Sequence, residues 1–407
     1  MTKKALRNYA KLITKMGVNV QKGQEVVINA EPDQPEFVAM VAEECYKAGA
    51  KRVVVDWVNQ PLTKLNVKYR SLKDLGKMEE YEEARLKYRL EKLPAQIHLR
   101  SADPAGLKGI NQDKYSKANQ AIRAITKPYR DKMDNKYQWC IAAVPSVAWA
   151  KKVFPNERKS KAVEMLWEAI LYSSRCDEDP ILAWQKHNED LHGKCDYLNS
   201  LGIKNLIYKS SNGTDFKVGM IEDGIFLGGA HDTVDGVEYN ANIPSEEVFI
   251  SPMKGKAEGI VYSSKPLSYQ GEVIDNFSVR FENGKVVEVK AEQNEELLKQ
   301  LIDMDDGAKY LGECALVPYD SPIRNSGVLF YTTLFDENAA CHLALGKGFT
   351  NTIRDFDKYT QGELHEKGIN DSVIHVDFMI GTKDLDIVAE TFDGKTVQIF
   401  KNGNWAF

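Results

Sequence analysis

Along the first half of the chain, short apolar runs rich in β-branched residues alternate with stretches whose apolar positions recur at helical spacing. The runs are Glu25–Ala30 (E-V-V-I-N-A), Arg52–Trp57 (R-V-V-V-D-W), Gln96–Arg100 and Tyr137–Val144. Near-continuous apolar strands joined by helices predict a largely parallel sheet covered on both faces. Phe37, Val38, Val41, Ala42 and Cys45 line one face of a connecting helix, and Gly49 stands where it should stop. Leu6, Tyr9, Ala10, Ile13 and Met16 mark an amphipathic helix near the start, and Lys68–Leu93, rich in charge, reads as a solvated helical excursion. After a further helix over Asp179–Ser200, the pattern changes at about Asn205. Asn283-Gly284, Asp393-Gly394 and Asn402-Gly403 punctuate alternating strands with the dipeptides that tight hairpins require. The prediction is an α/β N-terminal domain with a largely parallel sheet over residues 1–190, followed by a β-rich α+β domain over 191–407, the boundary lying within about fifteen residues of 190.

The second domain holds the polar residues that its apolar pattern does not explain. Val373–Ile380 (V-I-H-V-D-F-M-I) is a strand by pattern, and its period of two sets His375 and Asp377 on one face with Ile374, Val376 and Phe378 on the other. A hydrogen-bonded core pair would explain His375 and Asp377 alone. Asp336-Glu337-Asn338-Ala339-Ala340-Cys341-His342 lies about thirty residues upstream and reads as the opening of an apolar helix, with Asp336 as its N-cap. On such a helix Glu337 and His342 are about 140° apart and converge only if Glu337 sits at its end. Glu313, in L-G-E-C-A-L-V-P, is a carboxylate in apolar surroundings, costly to bury without a counter-charge. Ser245-Glu246-Glu247-Val248 adds further oxygen ligands. Carboxylates mixed with two imidazoles suit a pair of divalent cations bridged by a shared carboxylate.

Composition narrows the classes. A net charge of −5 and pI near 5.9, with no basic stripe, argue against nucleic-acid binding. The N-terminal helix is no apolar signal core, and a cytoplasmic protein that neither enters nor anchors in a membrane is expected. Six cysteines lie far apart without C-x-x-C, so reduced thiols are expected, with Cys314 and Cys341 as core residues despite their polar neighbours. No G-x-G-x-x-G or G-x-x-x-x-G-K-[ST] follows a strand, and Leu345-Gly346-Lys347-Gly348 trails a supposed helix. His98, His187, His192, His231 and His365 fit no ligand spacing.

N-I-P-S-E-E-V-F (242–249), L-G-E-C-A-L-V-P (311–318), F-Y-T-T-L-F-D-E-N-A-A-C-H-L-A-L-G (330–346) and I-H-V-D-F-M-I-G (374–381) together resemble the two-metal aminopeptidases of the aminopeptidase T, aminopeptidase S and PepS type, and the likeness runs over nearly the whole chain. That resemblance implies a cytoplasmic metallo-aminopeptidase removing N-terminal residues from short peptides with a metal-activated water. It implies two divalent ions (zinc, cobalt or manganese) on Glu247, Glu313, Glu337, His342, His375 and Asp377. Glu313 would be the bridging carboxylate and a candidate general base. It also implies a homodimer whose cavity, walled in part by the N-terminal domain, limits entry to short peptides. Glu246 fits the pattern less well, and its side chain is expected on the opposite face from Glu247. One position departs from the family: its catalytic Tyr corresponds to Phe349, whose ring donates no hydrogen bond, with Tyr359 or a water as substitutes. The alternatives are a two-metal hydrolase of another class, such as a phosphoesterase or amidohydrolase, or a non-catalytic peptide- or metal-binding protein, the reading that Phe349 motivates.

Overall fold

The computed structural model describes residues 2–176 and 179–407. It divides into two compact units that are discontinuous in sequence: Met1–Lys186 with Ala230–Ser245, and His187–Gly229 with Glu246–Phe407.

In the first unit, Glu25–Ala30 pairs in parallel with Arg52–Trp57 on one side and Ala95–Arg100 on the other. Trp139–Ala143 and the short Asn242–Ile243 extend the sheet, also in parallel. The first half thus forms the parallel α/β arrangement expected from its apolar runs. The helix Pro35–Lys47 buries Phe37, Val38, Val41 and Cys45, the stripe read from spacing. Tyr9, Phe37 and Trp167 meet with ring centroids 5.2–6.3 Å apart. The buried Tyr9 hydroxyl is satisfied by the backbone of Ala143, donating to its carbonyl and accepting from its N–H, so the N-terminal helix is held to the end of the Trp139–Ala143 strand by both packing and hydrogen bonds. The charged excursion resolves into the short helix Leu72–Leu75 and the helix Glu80–Lys92, neither of which buries a residue.

The second unit is antiparallel. A nine-stranded sheet runs from Leu267–Tyr269 through Glu272–Glu282, Pro252–Tyr262, Asp215–Met220, Ile203–Lys209, Asp386–Thr391 and Thr396–Lys401 to Asn404–Trp405, with Lys285–Gln293 pairing off this path. A five-stranded sheet has the order His375–Met379, His342–Gly346, Leu311–Leu316, Val248–Ile250, Leu227–Gly228. Leu206, Phe216, Val218, Val261, Phe277, Val279 and Ile387 of the larger sheet share one buried cluster with Val248, Ile250, Cys314, Leu316, Leu343, Leu345 and Phe378 of the smaller. Phe277 and Phe378 meet with centroids 5.9 Å apart. Each buried aliphatic or aromatic side chain of this kind contributes roughly 1.5–3 kcal/mol.

One expectation fails here. His342 does not lie on a helix: a helical turn, Thr333–Asp336, ends at Asp336, Glu337–Ala339 is a single 3-10 turn, and His342–Gly346 is a central strand. Asp336 stands at the N-cap position of that 3-10 turn rather than of a helix, and its side chain makes no cap bond; its carboxylate accepts from the backbone N–H groups of Phe330 and Thr332 at 3.0 and 3.1 Å. The cause is burial on both faces. Every residue from His342 to Gly346 is buried, so the run lacks the alternation that would distinguish a strand from a helix.

Candidate metal centre

Sheet register builds the site. Glu313 pairs with Ala344, which pairs in turn with Asp377; Ala315 pairs with His342; Gly346 pairs with His375; and Phe249 pairs with Ala315. Directly paired residues share a face, and alternation then assigns Glu313, Ala315, His342, Ala344, Gly346, His375 and Asp377 to the face away from the core. The opposite face carries Cys314, Leu316, Leu343, Leu345 and Phe378, all in the hydrophobic cluster. Small residues separate the polar ones: Ala344 sits between Glu313 and Asp377 on this face. A β-bulge between Leu311 and Glu313 sets this register. There Gly312 passes so close to the next strand that a Cβ would lie 2.2 Å from the Lys347 carbonyl oxygen.

The side chains converge. Glu247, just before its strand, places Oε2 3.1 Å from His342 Nε2. His375 Nε2 lies 3.1 Å from Glu313 Oε2 and 3.2 Å from Asp377 Oδ1. Ligand atoms of Glu247, Glu313 and His342 all lie within 4.8 Å of one another, as do those of Glu313, His375 and Asp377. Glu313 therefore belongs to both groups. Each imidazole is oriented by a backbone carbonyl: His342 Nδ1 is 3.1 Å from the Ala340 oxygen and His375 Nδ1 2.7 Å from that of Lys347. A protonated Nδ1 donating there leaves each Nε2 facing the carboxylates, the tautomer a ligand requires.

Glu337 stands outside both groups but interacts with Asp377, Glu247 and Glu313. Burial and these three neighbouring carboxylates push its carboxyl well above the ordinary range. Burial likewise raises Glu313, to about 7, although His375 opposes the shift. The imidazoles move upward against their own burial: Glu247, Glu313 and Asp377 bring His342 to about 9, and Asp377 and Glu313 raise His375. Buried Asp377 Oδ1 accepts no well-formed hydrogen bond. Four buried carboxylates, two of them with raised carboxyl groups (Glu313 and Glu337), gathered about two oriented imidazoles have the donor chemistry of a divalent-cation centre.

Glu246 turns elsewhere: its Oε2 lies 3.9 Å from Nε2 of His187, while its neighbour Glu247 meets His342. Phe349 stands at the site, its ring 4.8 Å from that of His375 and 5.4 Å from Phe249. Tyr359 packs instead on the separate cluster of Ile221, Ile353, Leu364 and Ile369, with the Lys367 ammonium 4.4 Å from its ring centroid. Sequence reasoning missed Asn338, whose signal was an uncharged amide in an otherwise apolar run, and the carbonyls of Ala340 and Lys347, which leave no trace in side-chain pattern.

The family described as "Thermophilic metalloprotease (M29)" matches residues 2–405. The chain belongs to the M29 metalloprotease family. It is a metal-dependent peptidase. It is 43% identical over 407 residues to aminopeptidase AmpS of Bacillus subtilis (strain 168), covering 99% of this chain and 98% of that protein. It is 37% identical over 406 residues to aminopeptidase T of Thermus thermophilus, covering 99% and 98%. The solved structure of wild-type AmpT from Thermus thermophilus matches with a TM-score of 0.89 and 35% identity over 100% of both chains. For an M29 member, a divalent-cation requirement agrees with the donor set above, and membership favours the peptidase reading over the phosphoesterase, amidohydrolase and binding-protein alternatives. Among the described residues, no helix of this M29 protein is long and apolar enough to cross a membrane.

Proposed function

We propose that the chain is an aminopeptidase that releases N-terminal residues from short peptides at a centre of two divalent cations. The observation that carries this reading is the membership of Glu313 in both ligand groups, Glu247/Glu313/His342 and Glu313/His375/Asp377. Glu313 is then the shared carboxylate and Glu337 the adjoining carboxyl that completes the constellation. When bound, such cations polarise a scissile carbonyl and acidify water. The protein's own part is positioning and proton handling. The Ala340 and Lys347 carbonyls hold the two imidazoles in one tautomer. Glu313, raised to about 7 by burial when no cation is bound, would give up its proton to serve as the shared ligand. Zinc, cobalt and manganese all suit mixed imidazole and carboxylate ligation.

The sequence resemblance further supports a homodimer, which light scattering would register as twice the 45.9 kDa chain mass. Six buried cysteines, present as thiols, support a reducing, cytoplasmic setting.

The decisive experiment strips the protein with chelator, reloads it with zinc, cobalt or manganese, and offers aminoacyl-arylamides, tripeptides and a phosphate monoester. Metal-restored release of the N-terminal residue alone, absent from Glu313→Ala, is the expected result. Phosphate-ester cleavage without aminoacyl-amide hydrolysis overturns it.

A further inference from the structure

We infer that Asn338 is a positioning residue that joins the Glu247 and Glu337 segments into one constellation; the inference rests on the metal-centre reading above. Asn338 is fully buried, where an amide must satisfy both its ends. Its Oδ1 accepts the Glu246 N–H at 2.7 Å. Its Nδ2 donates to the Leu334 carbonyl at 3.0 Å and to Glu337 Oε1 at 3.4 Å. The partners themselves settle the orientation of the amide, since one end faces an N–H and the other faces two oxygens.

One bond reaches a proposed ligand, Glu337, and another holds the backbone N–H of Glu246, the residue before the proposed ligand Glu247. Glu246 and Glu247 precede the Val248–Ile250 strand, and the ladder to Leu311–Leu316 begins only at Val248. The backbone one residue before Glu247 is therefore held by Asn338 rather than by the sheet. Glu337 lies in a 3-10 turn outside any ladder, and the same amide donates to its carboxyl. Ser321 Oγ donates to the Asn338 carbonyl at 3.3 Å, fixing the turn from a third segment. One side chain thus ties together the two segments that bear Glu247 and Glu337, ninety residues apart in sequence (247 to 337), whereas Glu313, His342, His375 and Asp377 are set by strand register. Residues behind metal ligands typically influence affinity by about 10–100-fold.

The test compares unsubstituted protein, Asn338→Ala, Asn338→Asp, Glu337→Gln and the double variant Asn338→Ala/Glu337→Gln. Zinc affinity of the chelator-stripped proteins is measured by competition with a chromogenic chelator, alongside circular dichroism, kcat and KM. Asn338→Ala is expected to keep the native spectrum, lose about 10–100-fold in zinc affinity and lose kcat with KM little changed. Its effect should shrink when Glu337 is already Gln, because the two then remove one shared interaction. Should the alanine variant fail to fold, Asn338→Asp carries the comparison, since it keeps the volume and the acceptor for Glu246 but sets an oxygen against Leu334 and Glu337. Wild-type zinc affinity in the folded variants, or losses that multiply independently in the double variant, overturns the inference. No zinc uptake by the unsubstituted protein would instead overturn the metal-centre reading on which it rests.

Discussion

At the scale of single residues, the cation-free site holds protons that a metal must displace. His342 at about 9 and Glu313 at about 7 both lie above their ordinary values of 6.5 and 4.5. Raised groups stabilise the fold fully below their ordinary values and lose that contribution as pH rises through the raised ones. Stability of the cation-free protein should therefore decline as pH passes about 7 and then about 9. Metal affinity should climb over the same window, by about tenfold per pH unit for each proton displaced. Chelator-competition titrations from pH 6 to 9 check this, and an affinity flat across that range would refute it. Phe349, against the His375 ring, offers a second test. Phe349→Tyr places a donor beside the centre, and an oxyanion donor is worth on the order of 10² in turnover. Steady-state kinetics should show kcat rising toward that factor, while an unchanged or lower kcat would show that no donor is needed there. Part of this scale was legible in the sequence: the motifs resembling the two-metal aminopeptidases implied Glu247, Glu313, Glu337, His342, His375 and Asp377 as ligands, and in the structure two groups of these side chains, Glu247/Glu313/His342 and Glu313/His375/Asp377, lie together with Glu337 beside them. Asn338 was not legible, because its role depends on a backbone N–H from a distant segment.

At the scale of elements, the strands carry the site and two glycines let them approach. Gly346 has φ +107°, and a Cβ there would lie 2.2 Å from the Ile374 carbonyl oxygen. Gly346→Val should strain the backbone by ~1–3 kcal/mol or more and part the strands that bear His342 and His375. Urea unfolding should record the destabilisation and metal titration a matching loss of affinity; native values for both would show the pairing to be tolerant. Phe378 tests the other face of the neighbouring strand, His375–Met379. It is buried against Phe277, and Phe378→Ala should cost about 3–5 kcal/mol in equilibrium unfolding, while a loss below 1 kcal/mol would mean that the face is not core. The parallel runs and the Asn-Gly and Asp-Gly hairpins were readable here, since each is a local pattern. The strand at His342 was misread as a helix because a short run buried on both faces shows neither period.

At the scale of the whole molecule, every proposed ligand lies in the unit His187–Gly229 with Glu246–Phe407. A cation that binds only the folded site stabilises by about 2.7 kcal/mol at a hundredfold excess over Kd. Hydrogen exchange should then slow in residues 246–407 on adding metal, with little change in 1–186 and no change anywhere in Glu313→Ala; equal slowing in both units would show that the metal acts elsewhere. The sequence by itself determined the chemical inventory, the change from parallel to antiparallel style, and the facing of His375 with Asp377, because side-chain chemistry and period-two alternation are local properties of the chain. Only the tertiary structure decided that Glu313 serves two ligand groups, that Gly312 sits in a bulge, that His342 rides a strand and that Asn338 binds Glu246 to Glu337. Those facts follow from register and backbone hydrogen bonding between segments tens of residues apart, and such pairings are set by the packing of the whole sheet rather than by any stretch of sequence within it.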